Sequence, residues 1–367
     1  MRNDLLNPPS GAGGSPDGPA QPGHVRDGRP GHGPVSHGRP TMKDVAAWAG
    51  VGLKTVSRVV NEEPGVADGT AERVRAAIDA LGFRRNDSAR TLRKGQTASI
   101  GLVLEDIGNP FYSVLSRAVE DVAHRHGSLL FTGSSDEDPV RERTLTLAFC
   151  ARRVDGLIIV PASDDHSYLI PETAAGIATV FVDRPAHRVE ADAVLTDNVH
   201  GAADGVAHLF RHGHRRIGYL GDAPQIFTAD QRLRGYRQAM ADAGLQVGDA
   251  WVAMDTPTPE TVGRALDRML DGPEPVTALL CGNNRITIAT LRALRARDRQ
   301  MALVGIDDFE FADLLSPGIT VVAQDPARMG RIAAELLFRR LDGERGPVQR
   351  IELETTLVAR GSGEVPP

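Results

Sequence analysis

From residue 99 onward, short apolar runs alternate with longer stretches whose apolar positions recur every three or four residues. The runs predict strands over 99–105, 129–133, 156–161, 179–183, 193–196, 216–221, 278–282, 303–307 and 320–324. The periodic stretches predict helices over 110–126, 139–154, 199–211, 230–243, 259–270, 285–296 and 326–341. Alternation of this kind implies parallel sheets covered by helices on both faces. One sheet of so many strands would be unusually wide, so two doubly wound lobes are expected. Ligands in such folds sit outside the carboxyl ends of the strands, which points to a cleft between the lobes.

The stretch before this alternation has another rhythm. Thr41 and Asp44 have capping-box spacing, so a helix is expected to begin at Met42. Val45, Ala46 and Ala49 form its narrow apolar face, Gly50 occupies the position of a left-handed cap, and Val51-Gly52 leaves room only for a sharp corner. A second helix, about 53–60, turns Val56, Val59 and Val60 inward and Lys54, Thr55 and Arg58 outward. After the loop 62–67, with Asp68 as expected N-cap, a third helix carries Val74, Ala77, Ile78 and Leu81 and stops at Gly82. Taken alone, this pattern fits either a helix-turn-helix or an ordinary helical corner with a solvated face.

Charge sharpens the choice. The chain has net charge −6, yet residues 41–95 hold ten Lys and Arg against seven Asp and Glu. A basic module on an acidic body lets one part bind phosphate while the other stays off DNA. Residues 1–40 contain nine Gly and eight Pro. Such a segment cannot offset its ordering entropy by burial and is expected to be disordered. Cys150 and Cys281 are too few for a disulfide framework and read as small core residues in a reducing compartment. No apolar run approaches a membrane span and no signal-peptide pattern opens the chain, so a cytoplasmic, nucleoid-associated location without membrane contact is expected. Phosphate loops, nucleophile elbows and zinc-spaced clusters are missing, so no catalytic residue, metal or cofactor is assigned. His212-Gly-His214 is read as turn geometry, and Asp164-Asp-His166 as too sparse for a ligand set.

The runs KDVAAWAGV (43–51), KTVSRVVN (54–61), RVRAAIDALGF (73–83), ARTLRKG (89–95) and IGLVLEDIGNPFY (100–112) together closely resemble the lactose-repressor (LacI/GalR) family of bacterial transcription regulators. The resemblance extends to about Gly361. It implies an N-terminal all-α helix-turn-helix domain of the lambda-repressor-like kind, a hinge helix, and an α/β core of two doubly wound parallel-sheet lobes like a periplasmic binding protein. The corresponding divisions are a Gly/Pro-rich tail at 1–40, the DNA-binding domain at 41–83, the hinge at 84–97, the effector-binding and dimerisation core at 98–361, and a flexible C-terminus at 362–367. Met42 stands where many relatives begin, so residues 1–41 are open as part of the native start.

By match to the family pattern, Leu53, Lys54 and Arg58 face base edges in the major groove, whereas Thr55, Ser57 and Asn61 contact phosphate or frame the helix. Relatives usually carry Ser at Gly52, so one phosphate contact is expected to be lost. Arg90 and other hinge cations add salt-dependent affinity, and Leu92 matches the family's minor-groove wedge. Eight or so polar hinge residues cannot hold a helix unaided, so the resemblance implies folding over the operator. For the effector, the expected residues are Phe111, Tyr112, Asp164, Thr228, Arg232 and Asn284, with Arg232 placed to fork onto hydroxyls or a carboxylate. Asn284 replaces a common Asp and Pro257 a common stacking aromatic, which keeps acidic, modified or larger ligands beside simple sugars. The expected function is a homodimeric, ligand-responsive repressor on a pseudo-palindromic double-stranded operator. A cytoplasmic small-molecule-binding protein without gene control is the alternative.

Overall fold

The computed structural model describes residues 39–84 and 97–367. The expectations for the tail and for the hinge, Arg90 and Leu92 among them, lie outside the described residues. The chain divides into two compact units, Met1–Asn86 and Asp87–Pro367.

In the first unit, α1 (Met42–Ala49), α2 (Leu53–Val60) and α3 (Asp68–Leu81) pack around Val45, Val56, Val74 and Ala77, with Phe83 closing the cluster. The capping box forms as its spacing requires. The Asp44 N–H donates to the Thr41 hydroxyl at 3.4 Å, and the Thr41 N–H donates to the Asp44 carboxylate at 2.7 Å. The Thr41 hydroxyl, which donates to the same carboxylate at 2.7 Å, and then the Thr41 N–H hold the exposed Asp44 carboxyl below its ordinary range. Gly50 ends α1 at φ 65°, a conformation that would strain a residue with a side chain. One boundary differs from expectation. Asp68 is the first helical residue of α3 and Ala67 is its N-cap, so Asp68 places its charge at the dipole's positive end without a capping hydrogen bond.

The second unit begins with β1 (Ser99–Leu104), α4 (Pro110–Arg125), β2 (Leu129–Ser134), α5 (Pro139–Ala151), β3 (Gly156–Ile159), α6 (Ile170–Ala174), β4 (Ala178–Val182) and β5 (Asp192–Thr196). It continues with α7 (Asn198–Arg211), β6 (Ile217–Gly221), α8 (Phe227–Asp242), β7 (Val252–Met254), α9 (Pro259–Leu270), β8 (Ala278–Cys281), α10 (Asn284–Ala296), β9 (Ala302–Ile306) and β10 (Thr320–Ala323). Then come α11 (Pro326–Leu341), β11 (Arg350–Leu353) and β12 (Thr356–Val358). Two six-stranded sheets result, ordered β2-β1-β3-β4-β5-β11 and β7-β6-β8-β9-β10-β12, and parallel except where β12 meets β10. The chain passes between lobes after β5, β10 and β11. Apolar clusters cover both faces of the first sheet, and α11 returns to it by packing Met329, Ala333 and Leu337 against Leu115 and Val119 of α4.

Three short strands, β7, β11 and β12, and the five-residue α6 were not among the predicted elements. None of the three strands is a fully buried apolar run, so no hydrophobic signal marks them. The expectation of a flexible C-terminus is corrected. Residues Ser362–Glu364 form a 3-10 turn that fastens to the second lobe. Ser362 Oγ donates to the Leu303 carbonyl at 2.6 Å and accepts the Thr320 N–H at 2.8 Å. His208 Nε2 meets the Glu364 carboxylate at 2.6 Å, and His214 Nε2 donates to the Val365 carbonyl at 2.8 Å. Each buried polar group finds its partner on this segment, which gives the segment its order. No described helix is long and apolar enough to cross a membrane.

Candidate functional site

Two sites are built by different means. In the first unit, α2 leaves Leu53 47% exposed and Lys54 exposed, with Thr55, Ser57, Arg58 and Asn61 half-buried. Asn61 donates to Ser57 Oγ at 3.2 Å, and Arg58 stands 4.0 Å from Glu63, a surface pair weak enough to exchange for another anion. Gly52 caps α2 without any side-chain hydrogen bond. The first turn therefore keeps free N–H groups and a positive dipole end, the ordinary setting for a phosphate.

In the second unit, the carboxyl ends of β1, β4, β6 and β9 present Glu105, Asp183, Asp222 and Asp307 to the cleft between the lobes. Asp183 and Asp307 both adopt φ 67°, and each donates its N–H to the next strand, to Val194 and Val322 respectively. Left-handed conformations in residues other than glycine are costly and concentrate at functional sites. Around this floor lie Tyr112 of α4, whose hydroxyl donates to Asp183 at 3.3 Å, and Arg184, held by Glu137 and by the Pro161 carbonyl at 2.7 Å. Burial raises the pKa of Tyr112 and of Asp183. Burial would lower that of Arg184, but Glu137, Tyr112 and Asp183 outweigh it and hold the guanidinium charged.

Arg232 projects from α8 and is only 5% exposed. Its Nε donates to Asn198 Oδ1 at 2.7 Å and one Nη to the Gly282 carbonyl at 2.7 Å, with Asp307 at 3.7 Å. The second Nη has no hydrogen-bond partner among the described residues. The placement depends on Gly235, where a Cβ would come within 2.1 Å of the Val199 carbonyl, so only glycine lets α8 press this closely on α7.

The cleft holds two compartments. The outer one, about 520 Å³, is lined by Pro139, Ser163, Asp164, His187, Phe227 and Pro257 among others, and falls within the ~300–1,000 Å³ of small-molecule sites. The inner one, about 40 Å³, reaches Phe111, Tyr112, Thr228 and Arg232. It is small because the lobes clasp each other. Asn284 Nδ2 donates to Asn109 Oδ1 at 2.9 Å, and Arg285 forks onto Glu105, at 2.9 Å, and Asp106. Burial, reinforced by Glu137, raises the pKa of Glu105 from 4.5 to about 7. Burial likewise raises that of Asp222, which accepts from Ala223 N–H and from Asn283 Nδ2 at 2.9 Å.

Two stretches of the chain match family models: residues 41–86 that for bacterial regulatory proteins of the lacI family, and residues 206–363 that for a periplasmic-binding-protein-like domain. The regulator CelR of Thermobifida fusca is 32% identical over 336 residues, 89% of this chain and 98% of that protein. GalR of Escherichia coli K12 is 30% identical over 89% of this chain and 96% of its own length. The chain belongs to the lacI family. Among solved structures, a complex of the regulator CelR with cellobiose is 30% identical with a TM-score of 0.65, covering 88% of this chain and all of that one. A lac repressor dimer bound to operator and an anti-inducer matches in fold, with a TM-score of 0.77 at 24% identity over 89% of this chain and all of that one. As a lacI-family member the protein is a DNA-binding transcription regulator and not an enzyme.

Within that family frame, the expected effector residues separate by depth. Phe111, Tyr112, Thr228 and Arg232 line the inner compartment and Asp164 the outer. Asn284, 1% exposed, lines neither compartment and instead bonds across the lobes to Asn109. Sequence reasoning missed Glu105, Glu137, Asp183, Arg184, Asp222, Arg285 and Asp307. A usable signal existed for four of them, since Glu105, Asp183, Asp222 and Asp307 lie at or just past the ends of predicted strands, where ligands of doubly wound folds bind.

Proposed function

We propose that the protein is a homodimeric repressor that binds a pseudo-palindromic operator and responds to a neutral, hydroxyl-rich ligand held between its lobes. The observation that carries the ligand half is the lining. Seven carboxylates (Glu105, Asp136, Glu137, Asp164, Asp183, Asp222 and Asp307) face three guanidiniums (Arg184, Arg232 and Arg285). That excess of acceptors suits sugar hydroxyls and disfavours the acidic ligand that the sequence had kept open. The cellobiose complex of a relative supports the same class.

For the DNA half, Leu53, Lys54 and Arg58 read base edges from α2, with Thr55, Ser57 and Asn61 positioning the helix, while Arg90 and the Leu92 wedge act in the minor groove. A two-fold dimer gives each module one half-site. A ligand that reaches Arg232 must part the Asn284–Asn109 and Arg285 contacts, so lobe closure and ligand binding are linked, and operator affinity follows lobe closure. Operator selection from random duplex DNA, with and without mono- and disaccharides, tests this reading. A palindromic consensus whose occupancy a saccharide changes upholds it; salt-sensitive binding without consensus, unaffected by any saccharide, removes it. Leu92→Ala is expected to weaken operator binding far more than saccharide binding.

A further inference from the structure

Behind the outer compartment lies a buried carboxylate that lines neither compartment of the cleft. Glu142 of α5 is fully buried. One oxygen accepts the N–H groups of Ala162, at 2.5 Å, and Ser163, at 3.1 Å; the other accepts the Tyr168 hydroxyl at 2.7 Å. His166, also fully buried, stands with Nε2 3.5 Å from the same carboxylate. Its Nδ1 accepts the His187 N–H at 3.2 Å, so the ring proton sits on Nε2 and faces Glu142. The His166 N–H in turn donates to the His187 carbonyl at 3.1 Å. Glu142 thereby holds the loop following β3 directly, and His166 of that loop holds the one between β4 and β5. Ala162, Ser163, Asp164 and His187 of these loops form the first-lobe wall of the outer compartment.

A carboxylate is costly to bury for core stability alone. Burial by itself would raise the pKa of Glu142, but the adjacent His166 imidazole and the bonds from Tyr168 and Ala162 prevail and lower it, so the group stays ionised. An ionised acceptor behind a loop fixes two backbone N–H directions at once, which an apolar residue cannot do.

Resting on the reading of the cleft as a saccharide site, we infer that Glu142 is a positioning residue that sets the outer wall and so decides whether a ligand longer than one sugar ring is held. It touches no ligand itself and acts through Ser163, Asp164 and His187.

The test uses the full-length protein with two variants, Glu142→Ala and Glu142→Gln, and two readouts. Amide hydrogen exchange without ligand is expected to speed at Ala162, Ser163 and His187 in Glu142→Ala by about tenfold or more, with β1 and β4 unchanged. Calorimetry with cellobiose and D-glucose is expected to show cellobiose weakened about tenfold and glucose scarcely changed. Glu142→Gln, which keeps one carbonyl oxygen for the two N–H groups, is expected to restore part of both effects and covers the case in which the alanine variant fails to fold. Unchanged exchange at these amides overturns the inference. So does an equal loss for both saccharides, which would mark a structural role only. If neither saccharide binds the wild-type protein, the saccharide reading fails, while the exchange result still decides whether Glu142 positions the wall.

Discussion

The two lobes follow one plan and use it differently. Each sheet ends its fourth strand in chain order or its counterpart, β4 in one and β9 in the other, with an Asp at φ 67° facing the cleft. Beside Asp183 the first lobe sets Arg184, whose two Nη groups are hydrogen-bonded to Glu137 and Pro161 while its Nε faces Asp183 at 3.6 Å without a hydrogen bond. Beside Asp307 the second lobe sets Arg232, which keeps one Nη unengaged among the described residues. Two buried cations near like aspartates, one on the loop after β4 and the other on α8, thus differ in commitment, which fits a structural role for Arg184 and the proposed ligand contact for Arg232. The difference lies in how many fixed acceptors the surrounding loops supply.

Exchange of either arginine sharpens that contrast. Arg184→Ala leaves Glu137 and Asp183 without their cation and is expected to cost about 3 kcal/mol or more of folding stability, measured by urea unfolding. Arg232→Ala is expected to cost less stability but about 2–3 kcal/mol of ligand binding, read by calorimetry. If Arg184→Ala were stable and selectively defective in ligand binding, the assignment of roles would be reversed.

Next in size is the proton held at Glu105. Its folded pKa of about 7 lies above the ordinary 4.5, so its contribution to stability is complete below 4.5 and is lost as pH rises through 7. Glu105→Gln removes that dependence. The melting temperature of the variant relative to wild type is expected to rise between pH 5.5 and 8, by the equivalent of about 2–3 kcal/mol at most. A difference that does not change with pH would show that burial and Glu137 do not hold the proton on Glu105.

The smallest expected effect falls on the first unit. Gly52→Ser adds a capping hydroxyl at a position with open space and ordinary φ of −73°. It is expected to stabilise α2 by a few tenths of a kcal/mol and to tighten operator binding slightly, checked by thermal melts and fluorescence anisotropy.

Legibility in the sequence follows the same physical divide. The helix-turn-helix was readable because its caps, apolar face and exposed donors are close neighbours in the chain. The sheets were readable because their central strands are buried on both faces and appear as apolar runs. The cleft was only half readable. Arg232 and Phe111 stood within recognisable motifs, but Glu105, Asp222 and Arg285 meet only after the chain has passed between lobes, and no local pattern records that meeting. Asn284 was placed in the ligand site because of its position, whereas the closed lobes turn it to Asn109. The C-terminal segment looked loose because Gly, Ser and Pro dominate it; its partners His208, Leu303 and Thr320 lie far away in sequence.

The most direct test of the account is the operator affinity of wild type and Arg232→Ala, measured by anisotropy on the selected operator with and without a binding saccharide. Equal affinities are expected without ligand, with a saccharide-dependent change in wild type and none in the variant. A saccharide response that survives in Arg232→Ala would contradict it.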